Sequence, residues 1–151
     1  MTDETKETLI ALTRDMVLIP SSAERPAERE RCFAFVHHHV DRVAGVNTRE
    51  IRKDGVPALL ALPTGVDRPD VLMCGHLDVI HHPEVEVYNS CVEEGRIIGP
   101  GAGDMKAALA VMLEVFHQFH DRRPGVPLRR LSLEQLSMVY EAAIEAAGLA
   151  G

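Results

Sequence analysis

Nowhere does the chain approach the roughly 20 consecutive apolar residues that a membrane-spanning helix requires. Its start, Met1 to Glu7, is acidic and polar where a secretory leader would be basic and then apolar. Membrane insertion and secretion are therefore not expected. Positive charge is also short. Sixteen Lys and Arg against 23 Asp and Glu leave a formal charge of -7, and the cations are scattered among acids, whereas a nucleic-acid surface needs them clustered. The pairs Arg122-Arg123 and Arg129-Arg130 read as solvated loop charge. Cysteine is scarce: Cys32, Cys74 and Cys91 are an odd number without C-x-x-C spacing. That excludes a closed disulfide framework and a zinc ribbon, and fits reduced thiols in a cytoplasm. Internal repeats and low-complexity tracts are absent too.

What is present is the balance of a soluble globular protein, 46% apolar and 26% charged, on a chain of 151 residues that suits one domain with a real core. Leu9, Leu12, Met16 and Ile19 recur at helical spacing through Glu4 to Leu18, and Pro20-Ser21-Ser22 breaks the pattern. Cys32, Phe33, Val36, Val40 and Val43 give a second helix from Pro26 to Val43, with Gly45 as its stop. Extended segments follow. Asn47 to Arg52 is polar and edge-like, Val56 to Leu62 is apolar, and Asp70 to Ile80 reads as a central strand. Cys91 to Ile98 alternates around Glu94-Gly95 as a short hairpin. Met105, Ala108, Leu109, Met112, Phe116 and Phe119 form one apolar stripe over a third helix, Asp104 to His120. A last helix is expected over Ser132 to Ala147, with Ser132 as cap, Gln135 three residues on and Gly148 at its end. This order of elements predicts an α/β layer.

Chemistry-bearing residues concentrate in two places. At the end of the central segment stands Gly75-His76-Leu77-Asp78. Residues two apart on a strand face the same side, so the Asp78 carboxylate can fix the tautomer of the His76 imidazole, as a metal-bound histidine requires. The carboxyl end of a strand in an open α/β sheet is also where ligands usually bind. Alone, His-x-Asp equally describes an ordinary hydrogen-bonded pair. The second place is Gly99-Pro100-Gly101-Ala102-Gly103-Asp104-Met105-Lys106, where glycines permit a tight turn and place Asp104 at a helix start favourable to an ionised carboxylate. Asp104 there suits either a metal bridge or a plain helix cap. A phosphate cradle is a weaker reading, because the G-x-x-x-x-G-K-[ST] spacing is missing and Asp104 would repel the anion.

Together, Gly75-His76-Leu77-Asp78-Val79 and the glycine-rich run ending in Asp104-Met105-Lys106 resemble the zinc-dependent superfamily of aminoacylase, acetylornithine deacetylase, succinyl-diaminopimelate desuccinylase and carboxypeptidase G. Leu18-Ile19-Pro20-Ser21-Ser22 is similar to that family's first helix and turn, so the resemblance runs from residue 1 to about residue 120. It implies an open, mostly parallel sheet with flanking helices. It implies a two-zinc site in which His76 binds one metal, Asp78 orients His76 and Asp104 bridges both, with cobalt or manganese as substitutes. It also implies a cis peptide after Asp104. The implied reaction is hydrolysis of the amide bond in an N-acyl amino acid or small peptide, by water that two cations acidify.

The chain departs from the family pattern at Pro100, where Arg is usual, and at Ala107, where Gly is frequent. More consequential is the region after His120. The family places a Glu-Glu pair there as general base and metal ligand, with a later acid and a late His completing the two metal sites. Here Arg122-Arg123-Pro124-Gly125-Val126-Pro127-Leu128 leads on without an Asp-Glu-Glu run. Glu93-Glu94 precedes Asp104 and belongs to the hairpin, and Glu134 reads as a first-turn helix residue. The expectation is one partial catalytic domain over residues 1–151, retaining both ends but lacking the lid and dimerisation domain. Such a chain would be inactive or very weak alone, or a non-catalytic metal-binding or interaction module, with an unpaired sheet edge that invites self-association. His76 and Asp104 alone cannot fill a tetrahedral zinc site. His81 and His82, just past the motif, are rim or substitute-ligand candidates against ordinary loop histidines. His37-His38-His39 spans too much of a turn to face one ion, His117 and His120 suit a helix end, and Cys74 reads as a buried strand thiol.

Overall fold

The computed structural model describes residues 3–69 and 71–122, with side chains through Gln118. The helix expected over Ser132 to Ala147 lies outside the described residues. Helix α1, Asp3–Val17, begins with Asp3 and Glu4 and ends with Arg14 in its last turn, each on the favourable end of the helix dipole. It stops where Pro20 approaches, with Leu18 and Ile19 still donating to Arg14 O and Met16 O at 3.1 Å. Helix α2, Pro26–Asp41, has Pro26 at its first position, where the missing N–H costs nothing. It ends two residues earlier than the spacing of Val40 and Val43 suggested, and Val43 closes a turn onto Val40 O at 2.9 Å.

Strands β1, Val46–Lys53, and β2, Val56–Pro63, pair antiparallel from Lys53 opposite Val56 to Val46 opposite Pro63. Asp54 and Gly55 between them have φ of 52° and 78°, the two positive values a tight two-residue hairpin turn needs. β3, Cys91–Glu93, and β4, Arg96–Ile98, form the expected short hairpin around Glu94 and Gly95. A π-type turn over Ala102–Lys106 then leads into α3, Ala107–Arg122.

The core lies where the three helices meet. Leu12 and Met16 of α1, Val36 and Val40 of α2, and Leu109, Ala110 and Leu113 of α3 form one buried cluster, against which Leu59, Ala61 and Leu77 also pack. Each such side chain withdrawn from water stabilises the fold by about 1.5–3 kcal/mol, so the helical faces, rather than either hairpin, hold this unit together.

The central segment differs from expectation. Among the described residues, 71–78 pairs with no neighbouring strand, and the sole parallel contact nearby is an isolated bridge between Ser22 and Val79. Val71, Leu72 and Met73 remain substantially exposed. Composition favours an extended backbone here, but a ladder requires partners, and the described α/β unit contains two small antiparallel sheets instead. Cys74, expected to be buried, is exposed for the same reason. The segment still alternates: Leu77 packs toward the core while His76 and Asp78, its neighbours on either side, face outward.

Candidate functional site

That alternation sets the first half of the site. His76 Nδ1 lies 3.3 Å from Asp78 Oδ1 and 3.1 Å from the Asp78 carbonyl oxygen. The second half comes from the glycine-rich turn. Gly101, at φ 73°, lies so close to the extended segment that a Cβ there would meet Val79 Cγ1 at 2.3 Å. Only glycine lets the turn approach this segment. Asp104 follows with φ -134° and ψ 97°, and the Asp104–Met105 peptide is cis. Regular helix therefore begins at Ala107, three residues later than the apolar stripe suggested, and Asp104 is not an ordinary helix cap. Its carboxylate is aimed instead at the imidazole: His76 Nε2 stands 3.0 Å from Asp104 Oδ1. Met105 fixes the approach from below, since its sulfur accepts the His76 backbone N–H at 3.4 Å.

One imidazole is thus flanked by two carboxylates. A neutral ring has one N–H and one bare lone pair, and an ionised carboxylate only accepts. If the ring donates toward Asp78, its Nε2 lone pair faces the Asp104 oxygen directly, and something positive must lie between them. Two ligand atoms at zinc-bond lengths on a tetrahedron stand about 3.3 Å apart, close to the 3.0 Å seen here. The pair has the donor types and spacing of one edge of a metal site. Among the described residues no three His, Cys, Asp or Glu side chains are grouped to hold a metal ion. His76, Asp78 and Asp104 line a cavity of about 320 Å³ with Ala23, Glu24, Val79, Ile80 and His81.

Lys106, part of the motif but without a role legible from its position, is the anchor of this arrangement. It is fully buried, and its ammonium donates to Met16 O at 2.7 Å and Ile19 O at 2.6 Å. These carbonyls lie at the negative end of α1, so the buried cation ties the turn carrying Asp104 to the end of that helix. Burial pushes the Lys106 pKa down, partly opposed by the Cys32 thiol nearby, and burial also pushes the Cys32 pKa up. Ser21 completes the link by donating to Leu77 O at 2.6 Å, within the His76 segment.

The other candidates separate. His81 stays at the cavity, with Nδ1 3.4 Å from Ser22 Oγ and 3.8 Å from Glu24 Oε2. His82 turns to Glu84, 3.5 Å away, and to the Tyr88 ring. His37 contacts Thr48 and Asp41, and His39 stacks on Phe35. Glu93 accepts from the Cys91 thiol within the exposed hairpin, far in kind from a catalytic base. No helix among the described residues is long and apolar enough to cross a membrane.

Residues 72–131, which carry both motifs, match the family model described as peptidase family M20/M25/M40. The chain is 34% identical over 87 residues to a succinyl-diaminopimelate desuccinylase of Acinetobacter baylyi, covering 54% of this chain and 23% of that protein. It is 29% identical over 121 residues to the enzyme of that name from Xylella fastidiosa, and 27% identical over the same length to that from a Janthinobacterium species. Each of these two matches covers 77% of this chain but 31% of the relative, so the chain spans no more than about a third of the proteins it resembles. The paired motifs and these likenesses converge: the chain is similar, over residues 72–131, to the M20/M25/M40 peptidase family.

Proposed function

We propose that the chain contributes the first metal-binding half of a hydrolase that cleaves the amide bond of N-acyl amino acids, with His76 and Asp104 as ligands and Asp78 orienting His76. The observation that carries this reading is the approach of His76 Nε2 to Asp104 Oδ1 at 3.0 Å, with Asp78 on the opposite ring nitrogen. Zinc is the cation best matched to one nitrogen and one carboxylate donor at this spacing. When bound it would polarise the scissile carbonyl and acidify water. The chain's own residues hold the geometry: Asp78 keeps the Nδ1 proton, the Gly101 turn presents Asp104, and Lys106 secures that turn to α1. The relatives' names point to removal of a succinyl group from an amino-acid amine as the first substrate class to try. The open, mostly parallel sheet belongs to this proposal as well, with the exposed segment 71–78 as one of its strands.

A second reading, a non-catalytic metal-binding or interaction module without turnover, is favoured by one observation: fewer than three donors are grouped among the described residues, so these do not complete the three- or four-donor centre that a zinc hydrolase needs. An assay of N-succinyl and N-acetyl amino-acid hydrolysis, with zinc and again with a chelator, separates the two. Chelator-sensitive turnover supports the hydrolase. Zinc binding without turnover supports the module.

A further inference from the structure

Along the segment that carries His76, alternate side chains turn inward. Leu77 packs toward the core, and Val79, 6% exposed, lies against the Gly101 turn. The other row, His76, Asp78 and Ile80, faces outward, and all three line one cavity together with Asp104. Two members of that row carry the chemistry of the site. The third is apolar and 75% exposed.

A lone aliphatic side chain on open surface is ordinary. Ile80 differs because it stands on the ligand face and its backbone is held there. Val79 N donates to Ser21 O at 3.3 Å, and the hydroxyl of buried Tyr88 donates to Ile80 O at 3.4 Å. The Ser22–Val79 bridge brings the turn after α1 alongside, so that Ala23, itself exposed, lines the same cavity as Ile80. The result is a small apolar shelf continuous with the His76–Asp104 edge. At about 320 Å³ the cavity that joins them has the size of a small-molecule site.

We infer that Ile80, with Ala23 beside it, is a specificity-determining shelf that receives an uncharged alkyl chain of the substrate. The inference rests on the hydrolase reading above and names the substrate feature that this part of the site selects. Four residues separate His76 from Ile80, about 13 Å along an extended backbone. A substrate whose amide lies at His76 and Asp104 therefore reaches the shelf only with a chain of several carbons, and an acetyl group falls short. Each methylene withdrawn fully from water on the shelf strengthens binding about fourfold. The shelf recognises the same chemistry whether the chain belongs to the acyl group or to the amino-acid side chain.

The test is a calorimetric titration of the full zinc-loaded chain, after zinc affinity has been measured on the same samples. One arm uses acetohydroxamic, butanohydroxamic and octanohydroxamic acids, which keep a zinc-seeking head and lengthen the acyl side. The other compares N-acetylalanine with N-acetylnorleucine, which lengthens the amine side. Affinity should rise about tenfold or more between the shortest and longest members of one arm, and the arm that responds identifies which side of the substrate meets Ile80. Ile80→Ser, at an exposed position that does not threaten folding, should remove most of that gain while zinc and acetohydroxamate affinities stay as they were. Ile80→Leu should restore it. Val87→Ser, 80% exposed but outside the cavity lining, should retain the wild-type gain. A wild-type gain surviving in Ile80→Ser overturns the assignment, as does zinc binding with no dependence on chain length in either arm; both leave the metal reading standing. Failure of the wild-type chain to bind zinc removes the metal reading itself, and the inference with it.

Discussion

His76 Nε2 and Asp104 Oδ1 stand 3.0 Å apart although 28 residues separate them in sequence. The contact joins an extended segment to a turn of unusual backbone, and each side has its own support. Asp78 and Met105 hold the imidazole; Gly101 and Lys106 hold the carboxylate. Changes to these supports should therefore affect the site without touching its two central groups.

Asp78→Asn keeps the shape but replaces an ionised acceptor that sets the His76 tautomer. Zinc affinity should fall about 10- to 100-fold with the fold intact, as measured by calorimetry beside circular dichroism. An unchanged affinity would mean the Asp78 carbonyl, 3.1 Å from the same nitrogen, suffices.

Lys106→Met retains most of the buried volume but removes both donations to the end of α1. Stranding the Met16 and Ile19 carbonyls should cost about 1–3 kcal/mol each, read from urea unfolding, and zinc affinity should weaken because the Asp104 turn loses its anchor.

Gly101→Ala combines a left-handed backbone with a Cβ clash at Val79 and should both destabilise the chain and abolish zinc binding. Gly55→Ala is its control: φ is 78° there as well, but no atom lies within 4 Å. It should cost only the backbone strain, about 1–2 kcal/mol, and leave zinc affinity as it was. Parallel unfolding and calorimetric titrations of the two variants distinguish these effects.

Burial raises the Cys32 pKa above its free value of 9.0. The folded chain thus holds its thiol proton when the unfolded chain has released it, so this contribution is complete below about pH 9 and is lost as pH rises through the folded pKa. Wild-type stability measured relative to Cys32→Ala should decline from pH 8 to 10.5; a flat difference would contradict the assignment.

Helical spacing was enough to place α1 and α2 to within one or two residues, because their stability comes from one apolar face each, and that face is written in Leu12, Met16, Val36 and Val40. The Glu94-Gly95 hairpin was legible from its turn residues, and Asp54-Gly55 offered the same signal for pairing β1 with β2. Three features were not legible. Whether Asp70 to Ile80 forms a ladder depends on its neighbours, and a strand-like composition does not supply them. The start of α3 at Ala107 depends on the backbone at Asp104 and Met105, which apolar periodicity does not register. The role of Lys106 was not legible, because lysine is seldom buried and only its approach to two helix-end carbonyls makes burial tolerable. In the site, His76, Asp78 and Asp104 were visible as motifs and are brought together. The approach of His81 to Ser22 was hidden, because it depends on the turn after α1 lying beside Val79.

The most direct measurement is a calorimetric zinc titration of the chelator-stripped chain beside His76→Ala and Asp104→Ala. Saturable binding by the wild-type chain, lost in both variants while their circular dichroism is unchanged, is the predicted result. Equal binding by all three, or none by the wild-type chain, would contradict a metal site built on His76 and Asp104.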